Sequence, residues 1–216
     1  MPWIFRRVAA LLIGSAILAP ALRAQTTFEL FAGTSVSAPT PLTVTQEGEE
    51  DLHFTAHYST RPFKDTPYYA ARVGFWSGDR GWLIDFIHQK LYLEDPPAGI
   101  QGFNISNGFN ILALSRGWKR GHLVLTLGAG VVITHPETRI RGRNIDPDRG
   151  FIWDGYFLSG GAVIGGINRR FPITGDFFLS LDGRMSASYV SVPTAGGHAS
   201  VPNVAFHGHG GVGVSF

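Results

Sequence analysis

The stretch from Val204 to Phe216, VAFHGHGGVGVSF, limits the chain most tightly. Val204, Phe206, Val212, Val214 and Phe216 share one parity, with Gly208 and Gly210 between them. Ala205, His207, His209, Gly211, Gly213 and Ser215 share the other. A period of two is the signature of an extended strand with one apolar face and one small or polar face. A chain ending this way needs either a partner sheet or a hydrocarbon phase against that apolar face.

Seven more stretches carry the same alternation. They run over Thr27 to Ser37, Pro67 to Trp76, Trp82 to Leu93, Phe103 to Leu114, His122 to Thr134, Gly155 to Ile167 and Asp176 to Tyr189. In the fifth, Leu123, Leu125 and Leu127 oppose Val124, Thr126 and Gly128. In the seventh, Phe177, Leu179, Leu181 and Met185 oppose Phe178, Ser180, Asp182 and Arg184. The fourth separates Phe103, Ile105, Phe109, Ile111 and Ala113 from Asn104, Ser106, Gly108 and Asn110, and the asparagines are expected inside. The sixth has the least clear facing. Turns after the second, fourth and sixth strands are short: SGDRG, SRGWKRG and residues 168–175. Loops after the first, third, fifth and seventh are longer, including residues 38–66, 135–153 and 192–203. Short turns at one end, longer loops at the other and an even strand count form the pattern of a membrane-spanning barrel. The predicted fold is therefore all-β: an eight-stranded antiparallel transmembrane β-barrel, an up-and-down meander. The ending in Phe216 resembles the closing strand of bacterial outer-membrane barrels, which implies the outer membrane as location and the barrel-assembly machinery as a partner.

Composition agrees. Charged residues are 16% of the chain, against roughly a quarter in ordinary soluble domains. Cysteine is absent, which excludes disulfides, thiolate metal sites and cysteine nucleophiles. Residues 1–24 place two arginines before an apolar run from Val8 to Leu18 and then small residues, the layout of a secretory signal peptide. The barrel domain is then expected over residues 25–216. Removing Arg6, Arg7 and Arg23 lowers the basic count from 18 to 15 against 16 acidic residues. The apparent basicity belongs to the leader, so a nucleic-acid partner is not expected.

The inward parity carries Glu29, Arg72, Asp85, Asp182, Arg184, His207 and His209. Groups cut off from bulk water must pair, and an eight-stranded barrel is filled by its own side chains. These seven are expected to form a structural polar plug. If Phe75 faces Trp82 across the first short turn, Arg72 faces Asp85 and Tyr69 faces His88. The third strand keeps Trp82, Ile84 and Phe86 outside, and the same parity continues through His88, Lys90 and Tyr92. Those three are expected on the outer rim, at the level of lipid headgroups.

The run from Asp51 to Trp76, followed by WLIDFIHQKLYL, resembles the lipid A oxidase group of small outer-membrane barrels. The matching positions are Asp51, Phe54, Arg61, Phe63, Pro67, Tyr68, Tyr69, Arg72, Asp85, Phe86, His88 and Lys90. Thr66 stands where that group often has a second proline. The resemblance covers about 45 residues and implies oxidation of the proximal glucosamine of lipid A to 2-aminogluconate by molecular oxygen. Roles follow from chemistry. A sugar hemiacetal needs a base for its hydroxyl proton, and His88 suits that task, with Lys90 and Tyr69 beside it as the other catalytic candidates. Arg61 and Lys64 are candidates to hold lipid A phosphates, with Tyr68 and Tyr92 lining the substrate. Oxygen chemistry ordinarily needs a metal or an organic cofactor, and its identity here is unknown. Asp51, His53 and His57, with Glu49 and Glu50 nearby, are the ligand-rich stretch. Two other readings stay open: a structural or adhesive barrel whose outer loops are the contact surface, and a soluble β-domain that buries the faces assigned to lipid.

Overall fold

The computed structural model describes residues 25–145 and 155–216. The expected leader and the end of the loop over residues 146–153 lie outside them. Among the described residues there are twelve strands: β1 (Gln25–Ser37), β2 (Thr40–Gln46), β3 (Leu52–Ser59), β4 (Tyr69–Ser77), β5 (Arg80–Glu94), β6 (Ile100–Arg120), β7 (Leu123–Thr134), β8 (Glu137–Ile140), β9 (Arg143–Asn144), β10 (Phe157–Thr174), β11 (Phe177–Thr194) and β12 (Gly197–Ser215). Every pairing is antiparallel. β1 pairs with β4, then β5, β6, β7, β10, β11 and β12 follow in turn, and β12 pairs back onto β1. The wall closes on itself with eight staves.

The inner ends are joined by the two-residue turns Gly78–Asp79, Gly121–His122 and Gly175–Asp176. Each begins with a glycine at positive φ, 58°, 59° and 53°. Glycine at the first central position is the type II′ arrangement, whose twist suits a tight hairpin. The outer end is built differently. β2 and β3 form a hairpin that fills the gap above the shorter β1 and β4, with β2 pairing to β12 and β3 to β5. The wall therefore continues past the membrane as a second tier.

Each wall strand turns one parity outwards. Leu30, Phe75, Ile84, Leu114, Leu127, Ile167, Leu181 and Val212, one from each stave, are all between 45 and 62% exposed. Leu125 and Leu179 are exposed beside them, and Leu123 is half-buried. A soluble protein does not show a continuous apolar girdle on this scale. Hydrocarbon is the medium such a surface suits, and a closed barrel leaves no unpaired edge inside it. Leu114 lies six residues from the inner turn, near mid-height of the band. Leu114→Arg is expected to lower stability in lipid by about 2–4 kcal/mol. Urea unfolding in lipid vesicles measures it; a change near zero would remove the membrane assignment.

Three sequence expectations need correction. Residues 168–174 are the end of β10 rather than a turn, and residues 192–203 are β11 and β12 joined by Ala195 and Gly196 rather than a loop. The fourth strand faces the other way from its expected sense. Phe103, Ile105, Phe109, Ile111 and Ala113 are buried inside, while Leu112 and Leu114 face lipid. Both faces of β6 are apolar there, because the upper tier is filled by an apolar core that includes Leu42, Val44, Leu91 and Val192. Asn104 and Asn110 consequently sit on the outer side.

Candidate functional site

The barrel interior at membrane height is a closed ionic network. Arg72 Nε donates to Asp85 Oδ1 at 2.7 Å, and Arg72 Nη1 lies 3.5 Å from Asp182 and 3.9 Å from Glu29. Arg184 reaches Asp85 at 3.1 Å and also bonds Asp182. Arg170 reaches Glu29 at 2.9 Å, and Ser115 donates to Asp85 at 2.7 Å. Three guanidiniums thus meet three carboxylates, and the charges balance.

Tyr68 joins the same interior, although it was expected to line the substrate. It precedes Tyr69 on the chain, and alternation turns the two to opposite sides of the wall. Its hydroxyl lies 2.7 Å from His207 Nδ1 and 2.9 Å from His209 Nε2. His209 Nδ1 lies 3.2 Å from Asp182, and His207 Nε2 lies 2.8 Å from Ser186 Oγ. One assignment satisfies all four bonds with neutral imidazoles. Ser186 donates to His207, His207 to Tyr68, Tyr68 to His209, and His209 to Asp182. These histidines are fully used by the plug. Gly33 admits His209 to the wall: a Cβ there would lie 2.8 Å from its ring.

The remaining candidates lie on the outer face of the wall. Tyr69 pairs with His88, and their rings stack at 5.0 Å. His88 pairs with Asn110 on β6, and its Nδ1 lies 2.7 Å from Asn110 Oδ1. Gly108, at φ 140°, is part of the bulge that offsets β6 just before Asn110. Together with Phe86, Thr66, Asn107, Ile133, His135 and Tyr156, these residues line a cleft of about 430 Å³. Tyr69 begins β4, eight residues above its inner end. At ~3.3 Å per residue and a tilt near 40°, that is about 20 Å of height, close to the outer edge of a ~25 Å apolar band. The cleft opens sideways, not into the barrel.

His88 is 4% exposed, and its Nε2 is buried with no hydrogen-bond partner. Since Asn110 Oδ1 can only accept, Nδ1 carries the proton and Nε2 carries a lone pair. Among the described residues, no carboxylate, ammonium or guanidinium lines the cleft. The lining is neutral: aromatic rings, amides, a hydroxyl and imidazoles. Histidine 135 and Tyr156 were not singled out from sequence. They flank the loop after β7, and no periodicity marks them.

The other rim candidates are drawn away from His88. Lys90 and Tyr92 were expected open to the headgroups, yet they are 0 and 3% exposed. Residues 60–68 form a strap over them. The Lys90 ammonium donates to the Lys64 carbonyl oxygen, and the Tyr92 hydroxyl donates to Asp65 at 3.0 Å. Arg61, Lys64 and Lys90 surround the Tyr92 ring at 4.9, 5.1 and 5.8 Å. Arg61 also pairs with Glu94 at 2.8 Å. Lys90 anchors the strap through its bond to the Lys64 carbonyl. Phe63, at the strap's tip, is 89% exposed.

A hydrogen bond from Ser59, then the Arg61 guanidinium, holds the Glu94 carboxyl below the usual carboxylate range. A depressed carboxylate supports structure while ionised and loses that support as pH falls through its folded value. Strap amides such as Lys64 N–H are therefore expected to be protected from hydrogen exchange at about pH 6 and to lose protection below the ordinary carboxylate range. Glu94→Gln should show the weakened protection already at neutral pH. Equal protection in both proteins at both pH values would contradict this tie.

The acidic turn does not assemble a metal centre. Glu49 is taken by Arg143 at 3.1 Å, and His53 Nδ1 is bonded to Thr43 at 3.0 Å. Among the described residues no group of three or more His, Cys, Asp or Glu converges on one point.

No family model matches the chain, and no curated protein matches it. Several solved structures are similar in fold. Outer membrane protein AlkL, determined by solid-state NMR in DMPC bilayers, is 12% identical over 89% of this chain and 90% of its own, with a TM-score of 0.49. Ail, the attachment invasion locus protein of Yersinia pestis, is 12% identical over 89 and 99%, with a TM-score of 0.41. Neisserial surface protein A is 11% identical over 89 and 97%, with a TM-score of 0.38. By its closed antiparallel wall and its girdle of exposed apolar side chains, the chain has the fold of a membrane-spanning β-barrel.

Proposed function

We propose that this barrel acts on the sugar headgroup of an outer-leaflet glycolipid, taken sideways into the cleft at the outer rim. The observation that carries the reading is the lone pair of His88 Nε2, buried without a partner in a neutral, aromatic-walled cleft on the outside of the wall. Aromatic faces, amides and imidazoles suit sugar hydroxyls. The finer reading is oxidation of the proximal glucosamine of lipid A, the reaction implied by the resemblance at Asp85, Phe86, His88 and Lys90. His88 would take the hydroxyl proton of the anomeric carbon while the C1 hydrogen leaves with its electron pair to molecular oxygen, giving the lactone and hydrogen peroxide. Water then opens the lactone to the acid. Tyr69 would hold the imidazole by stacking. Asn110 would fix its tautomer. The terminal strand ending in Phe216 would serve the barrel-assembly machinery as its recognition element.

Mass spectrometry of lipid A from cells with and without the protein tests the reaction. The expected product is a species one oxygen atom heavier that appears only with the protein. Unaltered lipid A would leave the non-enzymatic barrel. That second reading rests on the outer cap, where Glu49 holds Arg143 and Gln46 donates to the Ala195 carbonyl at 2.7 Å. Such ties make a firm contact surface from the tips of three hairpins.

A further inference from the structure

Two imidazole nitrogens in the lateral cleft are buried and unpartnered: His88 Nε2 and His135 Nδ1. Both rings line the same cavity, one from β5 and one from the segment just after β7. Each ring is fixed from its other side. His88 gives its Nδ1 proton to Asn110 Oδ1, at 2.7 Å. His135 packs against Tyr156 with ring centroids 4.8 Å apart, and its Nε2 side lies close to Gly155, where a Cβ would sit 2.5 Å from that nitrogen. His88, whose remote N–H is tied to the Asn110 amide oxygen while its opposite nitrogen stays free, has the arrangement of a metal-ligating histidine with its orienting partner. Leaving two imidazole nitrogens buried and unsatisfied is a cost with no structural return, because neither contributes a bond to the fold.

We propose that the cleft binds a first-row divalent metal ion through His88 Nε2 and His135 Nδ1. Neutral imidazole donors favour zinc, copper, iron or cobalt over magnesium and calcium. Two protein nitrogens leave the other positions to water or to substrate oxygens, so the site is open rather than structural. The Tyr156 ring and the Asn107 amide line the same wall, which keeps further oxygen donors within the cavity. The inference does not depend on a lipid substrate. A metal held by His88 would move the proton-accepting role from the imidazole to the metal's own water.

The test uses the folded barrel in detergent micelles, stripped of metal and dialysed in separate samples against Zn²⁺, Cu²⁺, Fe²⁺ and Co²⁺, with the bound metal counted. Wild type is expected to hold one equivalent. His88→Gln and His135→Gln should each weaken binding at least 10-fold, and Asn110→Ala about 10–100-fold, as loss of an orienting partner does. His53→Gln, on the β2–β3 hairpin, should bind as wild type does. Heat-modifiable mobility in gels confirms that each variant is a folded barrel, and a variant that fails it is replaced by the alanine form. The proposal is overturned if wild type binds none of zinc, copper, iron or cobalt. It is also overturned if folded His88 or His135 variants bind zinc like wild type, or if the loss follows His53 instead. Zinc binding that needs both histidines, together with unaltered lipid A in cells, would keep the metal site and remove the lipid reading.

Discussion

Asp85→Ala is expected to destabilise the barrel by roughly 3–5 kcal/mol, the loss typical of a buried ion pair broken from one side. Asp85 accepts from Arg72, Arg184 and Ser115, and all four side chains are buried. Removing it leaves three guanidiniums facing two carboxylates, with Glu29 and Asp182 already engaged. The extra positive charge is shut off from water, because Trp76, Leu83 and Val124 fill the interior below and the apolar core of the upper tier fills it above. Arg72→Met should be costly for the mirror reason. The double variant, Arg72→Met with Asp85→Leu, restores two cations to two anions and should be less destabilised than either single one. Urea titrations in micelles compare the three. A double variant that loses the sum of the two single losses would show that the network does not act as a balanced unit.

His88→Ala is expected to leave folding and membrane insertion intact and to reduce any lipid A modification by at least 100-fold. The magnitude follows from the usual worth of a positioned general base, about 10²–10⁴-fold. The structural cost is one hydrogen bond to Asn110, about 1 kcal/mol, and the stack on Tyr69. Lys90→Ala should behave in the opposite way. Its ammonium ties the strap through the Lys64 carbonyl, so its loss should loosen residues 60–68 while the modification falls less than tenfold. Equal losses for the two variants would mean that the strap, not His88, governs the site.

Much of the wall could be read from the chain. Strands with one apolar and one polar face, such as β1, β11 and β12, gave their facing directly through alternation. The first inner turn fixed more than its own length. Once Ser77 and Arg80 bracket a two-residue turn, Phe75 must meet Trp82, Arg72 must meet Asp85 and Tyr69 must meet His88. What alternation could not decide was β6, where Ile111 and Ala113 face inwards and Leu112 and Leu114 face lipid. Hydrophobicity carries no choice between two apolar faces. The upper tier was hidden for a related reason. Its interior is mostly apolar, so residues 192–203 turn Val192, Ala199 and Val201 inwards and carry none of the charged residues that mark the membrane tier. The burial of Lys90 and Tyr92 depends on the strap at residues 60–68, held by Asp65, Lys64 and Arg61, which no local pattern announces. His135 and Tyr156 enter the cleft only because β7 and β10 are neighbours in the closed wall.

An outer-leaflet glycolipid is expected to enter the wall beside Tyr69. A photo-reactive side chain placed at Tyr69 in intact cells measures that directly, with Phe75 as the matched position on the same strand face, six residues nearer the inner turn. Irradiation is expected to attach lipopolysaccharide at position 69 and not at position 75. No lipopolysaccharide adduct at 69, or equal capture at both positions, would contradict it.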